Sequence, residues 1–482
     1  MKKILYLAFS LALTATIASS CERDISSLNV DPKKPEVVPS VNLFASSQQY
    51  LATQWSTPSV NSNITRFFTQ QWTETQYVDE TNYVFTSRNQ PQSHYNSLMR
   101  DVIGPLKKAK TFVENEAEST DYSTADQAAI KTNKKAVIEI LSIYAWVNLV
   151  DTFGNIPYTE SLKVESGNQV LQPKYDDAAT IYIDLQKRLD AAISSLNTSL
   201  PAYNDLVYKG DTSKWKKFGN SIKLLMGLNL SDVNPTAAKQ LIESAVVSGV
   251  ITTGSDSYNF PFLSGQFSNP IYQNLVASGR NDFIPSDVYL NYIKGNNDPR
   301  LSVYFTVDKN GNYTGGKYGS LNTYANFSHI SSKITTDTYP GYMMDDLYVE
   351  FMLLEAAAKG FSVGDTAASL YAKSITLSMT KWGVDSTSIN AYLLAHPYDA
   401  VNWKKSIAGE AWVAMNNRGF EAWYFWRRLD YPSLTAPGTA EGLVYRMPYS
   451  VNEYSTNKTN VEAAAKAIGG DKMTTKIFWD KF

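Results

Sequence analysis

The sequence has 482 residues, of which 43% are hydrophobic, so it can bury a large core and is not globally disordered. Only 19% of the residues are charged, and 44 basic against 46 acidic side chains leave a net charge of −2. A mildly acidic chain without a basic block is a poor nucleic-acid binder. The abundant rings (31 Tyr, 20 Phe and 10 Trp) suit either a big core or a surface that recognises neutral polar ligands or protein partners.

The first twenty residues have the pattern of a secretory signal. Lys2 and Lys3 supply positive charge, residues 4–17 form an apolar run, and residues 18–20 are the small residues that precede a cleavage point. The apolar run is too short to span a bilayer as a mature helix. We therefore predict residues 1–20 as a signal peptide that is removed on export.

Cys21 is the only cysteine and directly follows this signal. Its position predicts a lipoprotein, in which the thiol carries acyl chains such as palmitate and the mature chain begins at Cys21. Several acyl chains, at about 0.8 kcal/mol per buried CH₂, would hold the protein on a membrane essentially permanently. An ordinary secreted protein with a stray cysteine is the alternative.

Residues 21–40 are polar and rich in proline, which predicts a flexible tether between the lipid and the folded body. No apolar stretch after the signal predicts a membrane span. Residues 41–482 are expected to form a single domain.

Helical periodicity dominates several segments of that domain. Ser123 and Asp126 form a capping-box pattern before a long helix that should end at Gly154. Residues 175–196 carry a regular apolar stripe. Further helices are predicted over 215–230, from Asn234-Pro235 to Gly249, over 347–359 and over 366–382, with the adjacent acids at 345 and 346 as capping residues.

These helices come in pairs joined by short or moderate loops. The pattern predicts a mostly α fold of helical hairpins, similar to tetratricopeptide repeats but without their strict consensus. Residues 55–100 and 250–340 lack a clear period, and irregular segments of this length are unusual unless they carry function. Asn310-Gly311, between Tyr304-Phe305 and Tyr313, predicts a tight hairpin.

Catalytic motifs are missing from the sequence. The three histidines do not form HExxH, one cysteine cannot build a thiolate metal cluster, and neither a GxSxG elbow nor a P-loop occurs. Asp308, Asn310 and Asn312 have the rhythm of a calcium loop, but Tyr313 occupies its glycine position. A pair of catalytic carboxylates that are distant in the chain stays open. We expect a protein that is not an enzyme and needs no cofactor.

Residues 410–432 read EAWVAMNNRGFEAWYFWRRLDYP. Phe420, Trp423 and Arg427 share one helical face, which predicts a buried surface. The string also resembles the C-terminal hallmark of the SusD-like (SusD/RagB-type) outer-membrane lipoproteins, in which a helix with an aromatic cluster and paired arginines leads to Tyr-Pro. Leu429-Asp430 stands where a Thr-Gly turn is more usual.

Four other segments resemble the same family in order. They are residues 151–158 (DTFGNIPY), 215–226 (WKKFGNSIKLLM), 281–301 (with NDF and DPRL) and 446–480 (with RMPY and FWD). The resemblance therefore covers essentially the whole mature chain, with Gly219 in place of the usual Ala as a departure that touches helix packing.

The resemblance implies nutrient uptake. Family members act as a lid on a SusC-like TonB-dependent transporter in the outer membrane, capture glycans or peptides, and pass them to the barrel without catalysis. We therefore expect an oligosaccharide- or peptide-binding lipoprotein of the cell outer membrane. It should face the exterior, because Glu22 and Asp24 resemble the acidic export signal of surface lipoproteins. A periplasm-facing anchor is the alternative orientation, and a glycan-degrading enzyme or an adhesive surface protein are the alternative functions.

Two aromatic groups are candidates for ligand contact, because sugar rings stack on aromatic side chains while amides satisfy their hydroxyls. The first group lies in residues 67–85, and the second flanks the turn at Pro340-Gly341. For Trp72 and Tyr83, burial in the core or contact with the transporter is the alternative role. The predicted ligand-binding residues are Trp72, Tyr77, Asn82, Tyr83, Tyr339 and Tyr342.

Overall fold

The computed structural model describes residues 38–117, 121–163, 170–438 and 440–481. Within these ranges helices alternate with irregular segments, and the strands are short. The predicted fold class, mostly α with long irregular loops and a few short strands, is confirmed. The predicted signal peptide, Cys21 and the tether up to residue 37 lie outside the described residues, and the folded unit begins at Ser40.

The first half of the folded unit is mainly helical. Its elements in chain order are α1 (Ser40–Ser56), α2 (Thr65–Phe68), β1 (Trp72–Glu74), α3 (Gln90–Leu98), a π-helical turn (Met99–Ile103), α4 (Gly104–Glu114), α5 (Thr124–Phe153), β2 (Ile156–Pro157), β3 (Tyr175–Asp176), α6 (Ala178–Ser195), α7 (Thr212–Leu230) and α8 (Pro235–Ser248). Helix α1 packs on α4, α4 packs on α5, and α5 pairs with α6.

The second half contains more irregular chain between its helices. Its elements are β4 (Tyr258–Phe260), α9 (Pro270–Tyr272), a π-helical turn (Gln273–Ala277), β5 (Phe283–Pro285), α10 (Asp287–Gly295), α11 (Leu301–Tyr304), β6 (Gly341–Met344), α12 (Asp346–Ala358), α13 (Ala367–Lys381), α14 (Ser386–Ala395), α15 (Trp403–Ala414), α16 (Gly419–Leu429), α17 (Glu453–Thr456) and α18 (Lys458–Ala467). Short 3₁₀ turns occupy Gly254–Asp256 and Tyr324–Asn326.

Helix α5 begins and ends where the capping signals predict. The Ser123 hydroxyl accepts a hydrogen bond from the backbone N–H of Asp126 (3.2 Å), which satisfies one of the free donors of the first turn. Gly154 follows the last residue with a φ of 79°, a conformation that favours glycine. Among the described residues α5 is the helix long and apolar enough to cross a bilayer, and 94% of its apolar window is buried inside the fold. It therefore forms part of the protein core.

The predicted helix pairs are present. Helix α7 packs on α8, and α12 packs on α13. Glycines permit close approach: a Cβ at Gly227 would lie 2.7 Å from Ile242 Cγ1 of α8, and one at Gly219 would lie 2.8 Å from Ile193 Cγ1 of α6. Gly219 thus takes part in helix packing, as the departure from the family pattern indicates.

Three two-stranded antiparallel sheets tie the irregular segments together in the described part of the chain. Strand β1 pairs with β5, with Trp72 opposite Pro285, and β2 pairs with β3. Strand β4 pairs with β6 through a register shift next to Tyr258. Each pair joins segments that are distant in the sequence, so the sheets position loops against the helical body.

The predicted hairpin at residues 310–311 is only partly correct. The turn forms, with the backbone N–H of Asp308 donating to the Asn312 carbonyl (2.7 Å). The expected strands do not form, because Phe305 bridges antiparallel to Ile330 instead of pairing across the turn. Turn chemistry is local, whereas the strand partner is chosen by packing with distant chain.

Asp151 of α5 links three parts of the chain inside the core. Its carboxylate accepts hydrogen bonds from Tyr182 Oη (2.6 Å), Tyr424 Oη (2.8 Å) and Trp479 Nε1 (2.7 Å). Burial raises the pKa of Asp151, although these donors favour its charged form. Residues from three of the family-like segments therefore meet in one buried network.

Candidate functional site

A cleft of about 380 Å³ lies where three segments of the second half meet. Strand β6 and the start of α12 contribute to it, as do the end of α13 and the turn between α15 and α16. The volume is within the range of small-molecule sites, about 300–1,000 Å³. The lining residues are Lys333, Tyr339, Tyr342, Asp345, Leu347, Thr380, Lys381, Trp382, Gly383, Ala414, Asn416 and Arg418.

Tyr339 and Tyr342 are both half-buried on this cleft. Their ring centroids lie 5.5 Å apart at an angle of 65°, an edge-on arrangement that aromatic pairs favour. Gly341, the first residue of β6, lies between them in close packing, since a Cβ there would lie 3.0 Å from the Phe262 ring. The structure thus brings the second predicted aromatic group to a concave site.

Trp382 adds a third ring to the cleft. It directly follows α13, where Gly383 takes a φ of 78° and turns the chain away. The indole is half-buried and packs edge-on against Tyr304, with centroids 4.7 Å apart. The exposed Lys333 donates a hydrogen bond from Nζ to the Trp382 carbonyl (3.3 Å). These contacts hold the tryptophan at the edge of the cleft.

Arg418 is the largely buried cation of the site. Its Nη1 donates to Asp345 Oδ1 (2.8 Å), and its Nη2 lies 3.4 Å from Glu421 Oε1. Its guanidinium also lies 5.4 Å from the centre of the Tyr342 ring. Burial alone would lower the pKa of Arg418, but the charges of Asp345 and Glu421 outweigh burial and raise it. The arginine therefore stays charged and connects the aromatic edge to the acids below.

Asp345 has two roles. Its Oδ1 accepts a hydrogen bond from the backbone N–H of Tyr348 (2.9 Å), which caps α12, so the predicted capping role is confirmed. Its neighbour Asp346 lies in the first helical turn, 2.7 Å from Lys381 Nζ. Both acids therefore face a cation of the cleft as well as the start of the helix.

The polar lining residues Asp345, Asn416 and Arg418, here termed the cleft floor, carry unused hydrogen-bonding capacity. Neither Nδ2 nor Oδ1 of Asn416 has a partner among the described residues, and the residue is only 2% exposed. Arg418 Nε likewise has no hydrogen-bond partner among the described residues. Asp345 Oδ2 has no hydrogen-bond partner there, and its nearest cation is Lys381 Nζ at 3.9 Å. Buried polar atoms are normally paired, so this concentration marks the floor as a place for a bound molecule or ordered water.

Two of the predicted ligand residues are buried in the core. Trp72 is 1% exposed and packs between Phe283, at 6.0 Å between centroids, and the Arg66 guanidinium, at 5.2 Å. Tyr83 is 4% exposed and packs against Phe68. Neither ring offers a face for stacking in this structure, so the geometry favours the alternative role of core residue for both.

The other two residues of that segment lie near the surface. Tyr77 is 64% exposed and takes a left-handed φ of 58°. Asn82 donates hydrogen bonds from Nδ2 to the carbonyls of Val78 (2.7 Å) and Gly319 (2.9 Å). Neither residue lines the cleft, so the two predicted groups do not form one site.

Sequence reasoning missed Trp382, Asn416 and Arg418 as site residues. The sequence predicts Trp382 simply as the end of a helix, and Gly383 after it is the available sign that the chain turns there. Asn416 and Arg418 lie in a family-like segment interpreted as one helix face. The polar break at 416–418 separates α15 from α16, and it was the available sign of a turn.

A buried pair of carboxyl groups, Glu74 and Glu80, lies outside the cleft. Burial is the main cause that raises the pKa of Glu74 to about 9, and the charge of Glu80 adds to it. Thr81 donates hydrogen bonds to Glu74 Oε2 from both its backbone N–H (3.0 Å) and its hydroxyl (2.9 Å). The pair thus supports the loop after β1. Among the described residues no group of three His, Cys, Asp or Glu could hold a metal ion.

An aromatic, polar-floored cleft on a helical body has the size and lining of a ligand-binding site. Residues 32–450 match the model of the SusD-like family, which is described as starch-binding and associating with the outer membrane. The chain therefore belongs to the SusD-like family. No curated protein matches the sequence significantly.

Solved structures share the fold. A chitin-binding protein is similar with a TM-score of 0.79 and 22% identity, over 92% of this chain and 100% of that chain. A SusD homologue from Bacteroides uniformis gives a TM-score of 0.74 and 25% identity, over 91% of this chain and 99% of that chain. A chitin-binding SusD homologue from Flavobacterium johnsoniae gives a TM-score of 0.71 and 22% identity, over 92% of this chain and 97% of that chain.

Proposed function

We propose that the protein is a cell-surface lipoprotein that binds an oligosaccharide in this cleft and delivers it to a SusC-like TonB-dependent transporter of the outer membrane. One observation carries the proposal: a single cleft of a SusD-like fold combines three half-buried rings with unpaired polar groups. Rings can stack on the C–H faces of sugars, and the floor can satisfy hydroxyl groups. The description of the family and the chitin-binding names of two similar structures support a glycan ligand.

Of the predicted ligand residues, Tyr339 and Tyr342 are assigned to this site. Trp72 and Tyr83 are assigned to the core because they are buried. Tyr77 and Asn82 are left as a secondary surface that a long ligand or the transporter could contact.

Binding without turnover is the proposed activity. Asp345 is the one acid among the residues that line the cleft, and it already caps α12 and pairs with Arg418. Glycoside hydrolysis commonly needs two carboxyl groups about 5–10 Å apart, one of them free to act as an acid. The engagement of Asp345 in these contacts supports binding without turnover over the enzymatic alternative.

The test is titration of the purified mature protein with a panel of oligosaccharides, peptides and host matrix proteins, followed by product analysis. We expect saturable binding of at least one oligosaccharide, with no product released. Trp382→Ala should weaken that binding at least tenfold through loss of a stacking face. Trp403→Ala, which removes a half-buried indole outside the cleft, is the matched control and should bind normally. Product release would support the enzyme alternative, and binding to matrix proteins alone would support adhesion.

The anchor is proposed at Cys21, with the protein on the exterior face of the outer membrane. Cys21→Ala should release the protein from membranes or leave its precursor unprocessed, because the acyl chains provide the membrane affinity. Metabolic labelling with a palmitate analogue and protease accessibility on intact cells measure the acylation and the orientation. Unchanged membrane retention together with an unlabelled wild type would contradict the anchor.

The transporter is proposed as a lasting partner. A stable interface of this kind should bury more than about 2,000 Å² in total. Affinity purification from detergent-solubilised membranes should recover a TonB-dependent barrel together with the protein. Recovery of the protein without any barrel, under conditions that preserve other membrane complexes, would contradict this assignment.

A further inference from the structure

The chemistry of the cleft floor narrows the class of ligand, on the assumption that the cleft is the site proposed above. We infer that the cleft selects an uncharged oligosaccharide over an acidic one, and that Asn416 is a specificity-determining residue that hydrogen-bonds adjacent hydroxyl groups of a sugar ring.

Asn416 has the chemistry for this role. Its carboxamide places a donor and an acceptor side by side, and both lack partners among the described residues. Neighbouring hydroxyls on a sugar ring can accept from one atom and donate to the other. An amide that is buried without partners destabilises a fold, so a ligand that satisfies both atoms recovers that loss on binding.

Access to Asn416 requires movement. Both amide atoms are shielded from solvent in this conformation, so side chains above them must shift as the ligand enters. Trp382 lines the same cleft, and its fluorescence should report that rearrangement. The site therefore combines a preformed aromatic edge with a floor that opens on binding.

The cations of the site are already neutralised. Arg418 pairs with Asp345 at 2.8 Å and with Glu421 at 3.4 Å. Lys381 pairs with Asp346 at 2.7 Å. A ligand carboxylate would find no free cation in the floor and would face Asp345 Oδ2, and a buried charge without a partner is strongly unfavourable.

Lys333 is the remaining cation on the cleft, and its position limits its effect. The residue is exposed, and its ammonium donates to the Trp382 carbonyl. At physiological salt an exposed charge is screened over about 8 Å. Its attraction for an anionic ligand is therefore weak compared with the desolvation of a carboxylate in the floor.

The ligand experiment uses the full mature chain and two probes that share one sugar backbone and differ in whether the carboxyl group is charged or methyl-esterified. Oligogalacturonate carries a carboxylate on each ring, and its fully methyl-esterified form does not. Uncharged hexaoses of glucose, mannose and N-acetylglucosamine complete the panel. We expect binding only among the uncharged probes, with affinities that agree within about twofold at 50 and 500 mM NaCl because no ion pair forms. Tight, salt-sensitive binding of oligogalacturonate, or binding of peptides alone, would overturn the inference.

The variant experiment tests Asn416 itself. Asn416→Leu keeps the size of the side chain, so the melting temperature should stay unchanged or rise while affinity for the uncharged probe falls at least tenfold. Asn148→Leu is the matched control, because Asn148 is also buried with an unpaired Nδ2 but lies outside the cleft. Its Oδ1 bonds His94 Nε2 (2.9 Å), so that variant should lose stability and keep its affinity.

Two outcomes separate this inference from the function on which it rests. If Trp382→Ala abolishes glycan binding while Asn416→Leu binds like the wild type, the inference is wrong and the proposed site stands. If no oligosaccharide binds, charged or uncharged, the proposed function fails and the inference fails with it.

Discussion

Arg428 of α16 and Glu355 of α12 form an ion pair that is almost completely shielded from water, with side chains 2% and 0% exposed. Arg428 Nε donates to both carboxylate oxygens (2.9 and 3.0 Å), and Nη2 donates to Oε2 (2.9 Å). Nη1 donates to Asn229 Oδ1 (3.0 Å). Removal of one partner leaves the other charge buried and unpaired, which costs about 3–5 kcal/mol. We predict that Arg428→Met and Glu355→Met, made separately, each lower the free energy of unfolding by this amount.

The size of the expected thermal shift follows from the length of the folded unit, roughly 440 residues from Ser40 onward. At about 2.1 cal/mol/K per residue, the total entropy of unfolding of this unit is about 0.9 kcal/mol/K. A loss of 3–5 kcal/mol therefore lowers the melting temperature by about 3–5 °C. The double variant with Met at both positions removes the unpaired charge and should recover most of the loss, because buried ion pairs are often no better than apolar packing.

Differential scanning calorimetry on the four proteins of this double-mutant cycle is the assay. Lys239→Met is the control, since Lys239 and Glu243 form an exposed pair 4.0 Å apart that should contribute almost nothing. A shift for Arg428→Met no larger than for Lys239→Met would refute the reasoning. Loss of glycan binding without loss of stability would instead indicate that the paired arginines of the family motif serve the ligand.

Three further changes test the buried groups. Glu74 has a pKa of about 9 in the fold against an ordinary value of 4.5, so its contribution to stability is lost as the pH rises from about 4.5 through 9. In Glu74→Gln the urea midpoint of unfolding should therefore vary less with pH over this range. Burial lowers the pKa of His94 from 6.5 to about 4, so its contribution to stability is lost as the pH falls across that window. In His94→Gln the urea midpoint should therefore vary less with pH between about 6.5 and 4. Gly419→Ala places a Cβ 2.6 Å from the backbone nitrogen of Arg66 and should destabilise by about 1–3 kcal/mol, measured as a lower urea midpoint.

Helix ends were predictable because their signals are local. Ser123 and Gly154 bound α5 as expected, and the hydroxyl cap and the positive φ are properties of adjacent residues. Helices α12 and α13 lie within one residue of their predicted bounds. Periodicity does not show how the helix pairs assemble. The resemblance to the SusD-like family predicted that assembly.

Strand partners and the cleft depended on distant contacts, which local patterns do not encode. Phe305 looked like a hairpin residue, but its partner, Ile330, lies far beyond the predicted turn. Trp72 and Tyr83 were candidate ligand residues because their segment is aromatic and polar, yet Trp72 of β1 packs between the Phe283 ring and the Arg66 guanidinium. The second aromatic group reached the cleft because Tyr339 and Tyr342 pack edge-on against each other at the start of β6.

The residues that build the fold and those that line the cleft are largely different. Asp151 and Arg428 are buried in hydrogen-bonded networks of the core, whereas Trp382 directly follows α13 and Asn416 lies in the turn between α15 and α16. A protein organised in this way can exchange its cleft residues without losing its core, so stability variants and ligand variants should separate. Asp345 is where the two sets meet, because it caps α12 and also lines the cleft. A change at Asp345 would alter stability and binding together, and Asn416 and Trp382 are therefore the sharper positions for testing the ligand.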